Sequence, residues 1–223
     1  MVERASEPLV AIPARGVRLE GALEVPDAAI GIVLFAHGSG SGRRSPRNRY
    51  VAQTLRHAGL GTLLFDLLTA EEDLDYARRF DIDLLTERLD HGVQFVSSHG
   101  PTHALPVGLF GASTGAAAAL QVAARRPSEI RAVVSRGGRP DLTGERLLDR
   151  VRAPTLLIVG GNDYGVIELN EAARDALVHA ERELAIVPGA THLFEEPGAL
   201  EKAAHLAAQW FTRHLPVPPA GPV

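Results

Sequence analysis

The sequence predicts an α/β protein with an open, mostly parallel sheet covered by helices on both faces. Three short apolar runs, GIVLFAHG (31–38), LGTLLFD (60–66) and PTLLIVGG (154–161), have the length of strands and no polar alternation. Such runs are typical of parallel strands that are buried on both faces. Amphipathic helical patterns separate them, and this alternation indicates right-handed crossover connections.

The other elements follow in the same order along the chain. The opening segment VAIPARGVRLEGALEVP (10–26) is typical of a hairpin and predicts an antiparallel edge of the sheet. LPVGLFG (105–111), IRAVVSRGG (130–138) and ERELAIVPG (181–189) predict three further strands. A first helix should begin at Ser45-Pro46, since proline is favoured at the first helical position. The predicted helices are 47–58, 81–97, 114–126, 141–150, 167–179 and 198–214.

The length of 223 residues fits one domain, which we place at 1–215. The end of the chain, LPVPPAGPV, holds four prolines and few groups able to pack, so 216–223 is expected to be a tail. Only a few residues separate the strand ending near Ser135 from the helix beginning near Asp141. The sequence therefore predicts no large lid domain at that point.

Composition excludes several classes of partner and chemistry. With 45% apolar residues, 22% charged residues and a net charge of -4, the chain has no general attraction for nucleic acid or an anionic membrane. The start lacks the pattern of a secretory signal, so we expect a cytoplasmic protein. The absence of cysteine excludes disulfides, thiolate metal sites and a cysteine nucleophile. We expect a small-molecule substrate, no cofactor and no metal; the sequence leaves a homodimer open.

Three chemically suited residues follow strands of the predicted sheet. In such sheets ligands bind beyond the carboxyl ends of the strands. Ser113, Asp163 and His192 all fall there, in that chain order. A serine hydroxyl is a weak nucleophile that needs an imidazole to take its proton and a carboxylate to fix the imidazole tautomer. The three residues therefore predict a catalytic triad.

The stretch GLFGASTGAAAAL (108–120) has the form of a nucleophile elbow. Gly111 and Gly115 flank Ser113 at two positions on either side, where a sharp turn leaves no room for side chains. The helix that follows points its amino terminus at the serine, which favours an oxyanion there. We expect the Thr114 amide to be one oxyanion donor and the Ser39 amide, in HGSGSG, to be the second.

HGSG after the third strand, GASTG at the elbow, the GGNDYGV loop and PGATHLFEEPG together resemble the α/β-hydrolase fold, in its dienelactone-hydrolase-like branch. The resemblance covers nearly the whole chain. It implies an eight-stranded sheet with an antiparallel second strand, Ser113 as nucleophile, Asp163 as orienting acid and His192 as general base. Dienelactone hydrolases use a cysteine nucleophile and have a glutamate after the loop histidine, where this chain has Ser113 and Gly38. The lactone specificity is therefore not inherited.

The resulting hypothesis is a serine hydrolase of small or medium carboxylic esters that works through an acyl-enzyme. Thioesterase, lactonase or amidase activity on the same triad remains an alternative, as does a non-catalytic binding protein of this fold. A nucleotide site is disfavoured, because the glycines at 108–115 lack the dinucleotide spacing and HGSGSG lacks a Gly-Lys-Ser/Thr ending.

Other polar residues near the predicted rim have two interpretations each. Arg136 could hold a substrate carboxylate or order the Asp163 loop, and His37 could touch substrate or order its own loop. RRSPRNR (43–49) could clamp an anion, but a solvated helix start is favoured. Asp66 could replace Asp163 as the acid, but a structural role is favoured because its strand lies farther from the histidine loop.

Overall fold

A computed structural model describes residues 9–216. Eight strands form one sheet in the order β1-β2-β4-β3-β5-β6-β7-β8. Residues 1–8 and most of the predicted tail, 217–223, lie outside the described part of the chain. The strands are β1 (Leu9–Ala14), β2 (Val17–Glu24), β3 (Ile32–Ala36), β4 (Gly61–Phe65), β5 (Val107–Ala112), β6 (Ile130–Arg136), β7 (Thr155–Gly160) and β8 (Arg182–Val187).

The opening hairpin and the mostly parallel sheet are confirmed. β1 pairs antiparallel with β2, and β2 pairs antiparallel with β4, while the six strands β3 to β8 are parallel to one another. β3, β4, β5 and β7 are buried along their whole length, which explains their unbroken apolar sequences.

Helices cover both faces of the sheet and divide the core into two clusters. The helices are α1 (Pro46–His57), α2 (Ile82–Ser98), α3 (Thr114–Arg125), α4 (Glu145–Leu148), α5 (Tyr164–Ala176) and α6 (Ala199–His214). One cluster packs α2 and α3 against the sheet around Leu34, Phe65 and Leu109. The other packs α1 and α6 around Phe35, Phe110 and Phe211. Among the helices of residues 9–216, none has the length and apolar character needed to cross a bilayer.

The structure differs from the predicted elements in three places. The helix predicted over 141–150 is a 3-10 turn, Pro140–Thr143, followed by the single turn of α4, because Gly144 with φ of 85° separates them. α5 begins three residues earlier than predicted, directly after Asp163. Two 3-10 helices, Glu72–Leu74 and Tyr76–Phe80, lie between β4 and α2, where the sequence showed no clear pattern.

Candidate active site

Ser113 occupies a sharp turn between β5 and α3. Its φ of 50° and ψ of -124° lie in a region that residues with a side chain rarely adopt. A Cβ atom at Gly111 would lie 2.4 Å from Ala116 Cα, and one at Gly115 would lie 2.1 Å from the Ala36 carbonyl oxygen. Both glycines are therefore required by the close approach of backbone, as the elbow motif predicts.

Backbone hydrogen bonds hold the turn in place. The Ser113 amide donates to the carbonyl of Arg136 at 3.3 Å, which ties the elbow to the end of β6. The Ser113 carbonyl accepts from the amides of Ala116, at 3.1 Å, and Arg139, at 3.0 Å. Thr114 is the first residue of α3, and the first amides of a helix have no intrahelical acceptor. The Thr114 amide is thus placed beside the serine.

His192 and Asp163 are in direct contact. Nδ1 of His192 lies 2.7 Å from Oδ2 of Asp163, so the hydrogen on Nδ1 is directed at the carboxylate and Nε2 is the ring nitrogen left for other chemistry. The Asp163 side chain is 16% exposed and that of His192 is 39% exposed. The carboxylate is therefore sheltered, while the imidazole is open to a substrate.

The loop that carries His192 is fixed by its own hydrogen bonds. Glu196 accepts from the amide of Thr191 at 3.1 Å and from its hydroxyl at 2.6 Å. The bond from the Thr191 hydroxyl holds the pKa of Glu196 below its usual value. Phe194, with φ of 55°, closes the turn by donating its amide to the Thr191 carbonyl at 3.2 Å. These contacts hold the backbone on both sides of the imidazole.

The imidazole lies above the strand next to the elbow. A Cβ atom at Gly137, one residue beyond β6, would lie 3.6 Å from Cε1 of His192. β6 is paired with β5, with Arg136 opposite Ala112, so Gly137 follows β6 at the level where Ser113 follows β5. Of the three predicted triad side chains, Asp163 and His192 are hydrogen-bonded to each other, and the Ser113 hydroxyl has no hydrogen-bond partner within residues 9–216. Catalytic hydrogen bonds often tighten only when substrate is bound.

The HGSG loop packs directly against the nucleophile. A Cβ atom at Gly38 would lie 2.9 Å from Ser113 Cβ and 3.6 Å from its Oγ. The next amide, that of Ser39, donates to the hydroxyl oxygen of Thr114 at 3.2 Å. This contact joins the residues of the two predicted oxyanion donors and was not predicted from the sequence. The sequence feature that could have indicated it is a threonine directly after Ser113, together with the glycine-rich loop that follows the neighbouring strand.

His37 orders its loop from a buried position. Its Nε2 accepts from the Leu67 amide at 2.9 Å, and its Nδ1 donates to the Gly38 carbonyl at 3.1 Å. Burial lowers the pKa of His37, and the Gly38 carbonyl and the charges of Asp66 and Asp73 oppose this only in part. A neutral imidazole has one donor and one acceptor. Both are used here, which leaves no ring nitrogen for a substrate.

Arg43 and Asp66 hold the other end of the same loop. Asp66 accepts from the Arg43 amide at 2.8 Å and from its guanidinium at 2.6 Å. The same guanidinium also pairs with Glu20 of β2. Asp66 is therefore the partner of Arg43, and Asp163 is the carboxylate that contacts the His192 imidazole. Within RRSPRNR, Arg43 is therefore part of the scaffold, and Arg47 pairs with Glu195 at 3.2 Å beside the histidine loop.

A cleft of about 720 Å³ borders the HGSG loop. Its lining includes Ser39, Gly40, Arg44, Arg47 and Thr69. Ser113 and His192 do not line it, so it adjoins the triad residues without covering them. Among residues 9–216 no group of three or more histidine, aspartate or glutamate side chains is arranged to hold a metal ion.

Comparisons with known proteins agree with this architecture. The family described as "Alpha/beta hydrolase domain" matches residues 29–210. The crystal structure of a dienelactone hydrolase from Anabaena variabilis is 54% identical, with a TM-score of 0.89 over 93% of this chain and 97% of that chain. Est1E from Butyrivibrio proteoclasticus, at 15% identity, shares the fold with a TM-score of 0.78 over 92% of this chain and 98% of its own.

A curated relative from Mycobacterium tuberculosis, whose name provisionally calls it a phosphoribosyl transferase, is 56% identical over 206 residues. The match takes in 92% of this chain and 46% of the relative. The chain therefore spans about half the length of the curated relatives it matches.

Proposed function

Because the chain belongs to the alpha/beta hydrolase domain family, in its dienelactone-hydrolase-like branch, we propose that it is a serine hydrolase of carboxylic esters. The observation that carries the proposal is the conformation of Ser113. A side chain held at positive φ between a strand and a helix, with glycines forced by backbone contact on both sides, costs free energy that a merely structural serine would not need.

The proposed reaction uses Ser113, His192 and Asp163 as a unit. Nε2 of His192 takes the hydroxyl proton as Ser113 Oγ bonds to the ester carbonyl carbon, and Asp163 stabilises the resulting imidazolium through Nδ1. The tetrahedral intermediate then expels the alcohol, which receives the proton from Nε2. A water molecule, deprotonated by the same nitrogen, attacks the acyl-enzyme and releases the carboxylic acid and the free serine.

The oxyanion of each intermediate is assigned to the amides of Thr114 and Ser39. The Thr114 amide opens α3, so the positive end of the helix adds to its effect. The Ser39 amide is held at the elbow by the Thr114 hydroxyl, and it shares its hydrogen between this hydroxyl and the stronger, charged acceptor when the oxyanion forms. One such donor typically contributes about 3 kcal/mol to transition-state stabilisation.

Small or medium esters are the substrates that this site favours. The connection from β6 to α4 contains only a 3-10 turn, and the imidazole of His192 is 39% exposed. An open rim of this kind does not enclose a long acyl chain. We expect short acyl esters to be cleaved faster than long ones, and the prediction of a cytoplasmic enzyme remains part of this proposal.

We do not propose a phosphoribosyl transferase activity for this chain on the basis of its relative's name. It describes a protein of which the match covers only 46%, and the matched part has the α/β-hydrolase fold. Thioesters, lactones and amides remain alternative substrates of the same triad, and a panel of acyl substrates with the purified protein separates them.

Labelling by a fluorophosphonate tests the proposal directly, because only an activated serine reacts with it. We expect the wild-type protein to be labelled at one site and Ser113→Ala to lose both label and ester hydrolysis. Ser97→Ala, which changes an exposed serine of α2, is the matched control and should be labelled like wild type. Labelling that persists in Ser113→Ala, or a wild-type protein that is not labelled, would contradict the proposal.

A further inference from the structure

Asn170 is a buried polar residue of α5. The helix buries only two of its residues, Asn170 and Ala173, and Asn170 is 0% exposed. Its Nδ2 atom donates to the Val166 carbonyl, one turn earlier, at 2.8 Å and to the Gly138 carbonyl, outside the helix, at 3.0 Å. Because both acceptors are carbonyl oxygens, the nitrogen of the side chain must face them. The Asn170 amide therefore joins α5 to the segment that follows β6.

This position is unfavourable for an asparagine. The Oδ1 atom of Asn170 is buried and, within residues 9–216, has no hydrogen-bond partner. An unpaired amide oxygen away from water lowers stability, and asparagine is a poor helix former. Leucine has a similar size and would leave no polar side-chain atom unpaired here. A local conflict of this kind is typical of positions that a functional site requires.

The segment 137–139, here named the connector, lies between two residues of the predicted triad. The Arg139 amide donates to the Ser113 carbonyl at 3.0 Å. At the other end of the connector, a Cβ atom at Gly137 would lie 3.2 Å from the His192 carbonyl oxygen and 3.6 Å from Cε1 of its ring. A displacement of the connector would therefore move Ser113 relative to His192.

The other contact of Asn170 leads to the third residue of the triad. α5 begins directly after Asp163, whose carbonyl accepts from the Val166 amide at 3.0 Å. The Val166 carbonyl in turn accepts from Asn170. On the connector side, a Cβ atom at Gly138 would lie 2.0 Å from Ser135 Oγ, so the connector lies directly against β6. One amide group thus links the first turn of α5, which follows Asp163, to the closely packed connector.

Arg136 is the other residue for which the sequence suggests an ordering role at the Asp163 loop. It is 8% exposed, and its Nη2 atom donates to the side-chain oxygen of Asn48, in α1, at 3.3 Å. Within residues 9–216 the guanidinium makes no hydrogen bond or ion pair with the loop that carries Asp163. The contacts that lead to this loop are those of Asn170.

We propose that Asn170 is a positioning residue for the hydrolase reaction. Its amide fixes the connector relative to α5, and with it the placement of Ser113, His192 and Asp163. This inference rests on the proposed hydrolase function and adds to it a residue that makes no contact with the substrate. Proton transfer requires heavy atoms within hydrogen-bond distance, and a displacement of about 1 Å can slow a reaction about a hundredfold.

Two substitutions of similar size test the proposal with 4-nitrophenyl butyrate as substrate. Asn170→Leu removes both hydrogen bonds, and we expect kcat to fall about tenfold to a hundredfold with little change in KM, because the groups that contact the substrate remain. Asn170→Asp can donate to one carbonyl while its carboxyl is protonated but not once it is ionised. Because burial raises the pKa of a carboxyl, its kcat relative to wild type should decline between about pH 5 and pH 8.

Ala173→Gly is the matched control for a merely structural role. It weakens the same helix next to the other buried position but leaves both hydrogen bonds of Asn170 in place. This variant should unfold at a lower denaturant concentration and keep the kcat of wild type. A kcat for Asn170→Leu equal to that of wild type, or a loss that appears in KM alone, overturns the proposal. So does an Asn170→Asp protein with the kcat of wild type at about pH 8.

Hydrogen exchange measured by NMR needs no turnover and no variant. In wild type the Nδ2 hydrogens of Asn170 should exchange about a hundredfold more slowly than the side-chain amide hydrogens of Gln209, which is exposed on α6. The backbone amide of Arg139 should exchange about tenfold faster in Asn170→Leu than in wild type.

The outcomes separate this inference from the proposed reaction. Equal exchange at Asn170 and Gln209 in wild type overturns the inference even if the variants fail to fold. Unchanged exchange at Arg139 in Asn170→Leu overturns it as well. Slow exchange at Asn170 with faster exchange at Arg139 in the variant supports the link between α5 and the connector. In a wild-type protein that cleaves no ester, the same result contradicts only the proposed reaction.

Discussion

Nδ1 of His192 and Oδ2 of Asp163 are 2.7 Å apart, although the two residues lie on different loops and are 29 positions apart in the chain. The contact exists because β7 and β8 are parallel neighbours, so both loops leave the sheet at the same edge. It determines which nitrogen of the imidazole carries hydrogen and which can act as a base.

Asp163→Asn should abolish most of the activity without unfolding the protein. An amide can donate to Nδ1 and so favours the tautomer that has hydrogen on Nε2, where a base is needed. We expect kcat for ester hydrolysis to fall by about 10⁴. Asp175→Asn, at the far end of α5 and well exposed, should have wild-type kcat. A fall in kcat of less than tenfold in Asp163→Asn would assign the orienting role to another acid.

Thr114→Val should impair catalysis through the Ser39 amide. Valine has nearly the shape of threonine but cannot accept the 3.2 Å hydrogen bond that orients this amide. A hydrogen bond of this kind contributes about 1 kcal/mol, so kcat should fall about fivefold to tenfold with little change in KM. Thr114→Ser keeps the hydroxyl and should restore kcat. Similar kcat values for the valine and serine variants would show that the hydroxyl has no part in positioning the amide.

Gly115→Ala and Gly165→Ala should change stability in opposite directions. The added Cβ at Gly115 would lie 2.1 Å from the Ala36 carbonyl oxygen, and backbone cannot move aside as a flexible side chain can. We expect the free energy of unfolding to fall by about 3 kcal/mol or more. At Gly165, in the first turn of α5, the added atom meets nothing within 4 Å, so alanine should stabilise the protein by about 0.5 to 1 kcal/mol. Denaturant unfolding measures both changes, and a tolerated Gly115→Ala would contradict the packing at the elbow.

The stability of the protein should decline in mild acid because of His37. Burial lowers its pKa from 6.5 in the folded state, whereas in the unfolded chain the ring takes up a proton near 6.5. Below about pH 6.5 the unfolded state therefore binds more protons at this residue than the folded state. The free energy of unfolding decreases as the pH is lowered, until the pH is below the folded-state pKa. Above about pH 7.5 both states are neutral at this residue and the contribution vanishes.

His37→Gln isolates this contribution. It should be less stable than wild type at about pH 7.5, because a glutamine amide does not reproduce the ring geometry that accepts from Leu67 and donates to Gly38, but the difference should shrink as the pH falls to about 5. The exposed His205→Gln, on α6, is the control and should follow wild type. A wild-type to His37→Gln difference that is constant over this range would show that the ring is protonated equally in both states.

The fold could be predicted from the sequence because its main signals are local. Unbroken apolar runs such as 31–38 and 154–161 become strands that are buried on both faces, and the spacing Gly111-x-Ser113-x-Gly115 has a steric cause that any sequence in this turn must satisfy. α4 is the exception. The segment has an amphipathic pattern, but Gly144 at positive φ interrupts the helix. A pattern taken over ten residues does not show the conformation of a single glycine.

The site was less predictable where it depends on contacts between distant segments. The sequence places Ser39 and Thr114 on neighbouring loops, but it does not reveal that one donates to the other across 75 positions. In the same way, an arginine at the end of a strand is unremarkable until its surroundings are known, and at Arg136 no acid of residues 9–216 is paired with the guanidinium. Both features depend on which distant residues the fold brings together around a side chain. A local pattern of residue types does not contain this information.

The bridge that Arg43 makes between Glu20 and Asp66 gives the amino-terminal hairpin a mechanical role. β2 contributes Arg18, Leu19 and Glu20 to the lining of the cleft beside the HGSG loop, and through Glu20 it also braces this loop. Changes at the edge of the sheet, such as an insertion in the bend near Gly16 or a protein bound along β1, would be transmitted through this bridge to the Ser39 amide, the proposed oxyanion donor. The acyl preference of the enzyme could therefore drift through substitutions that never touch its chemistry.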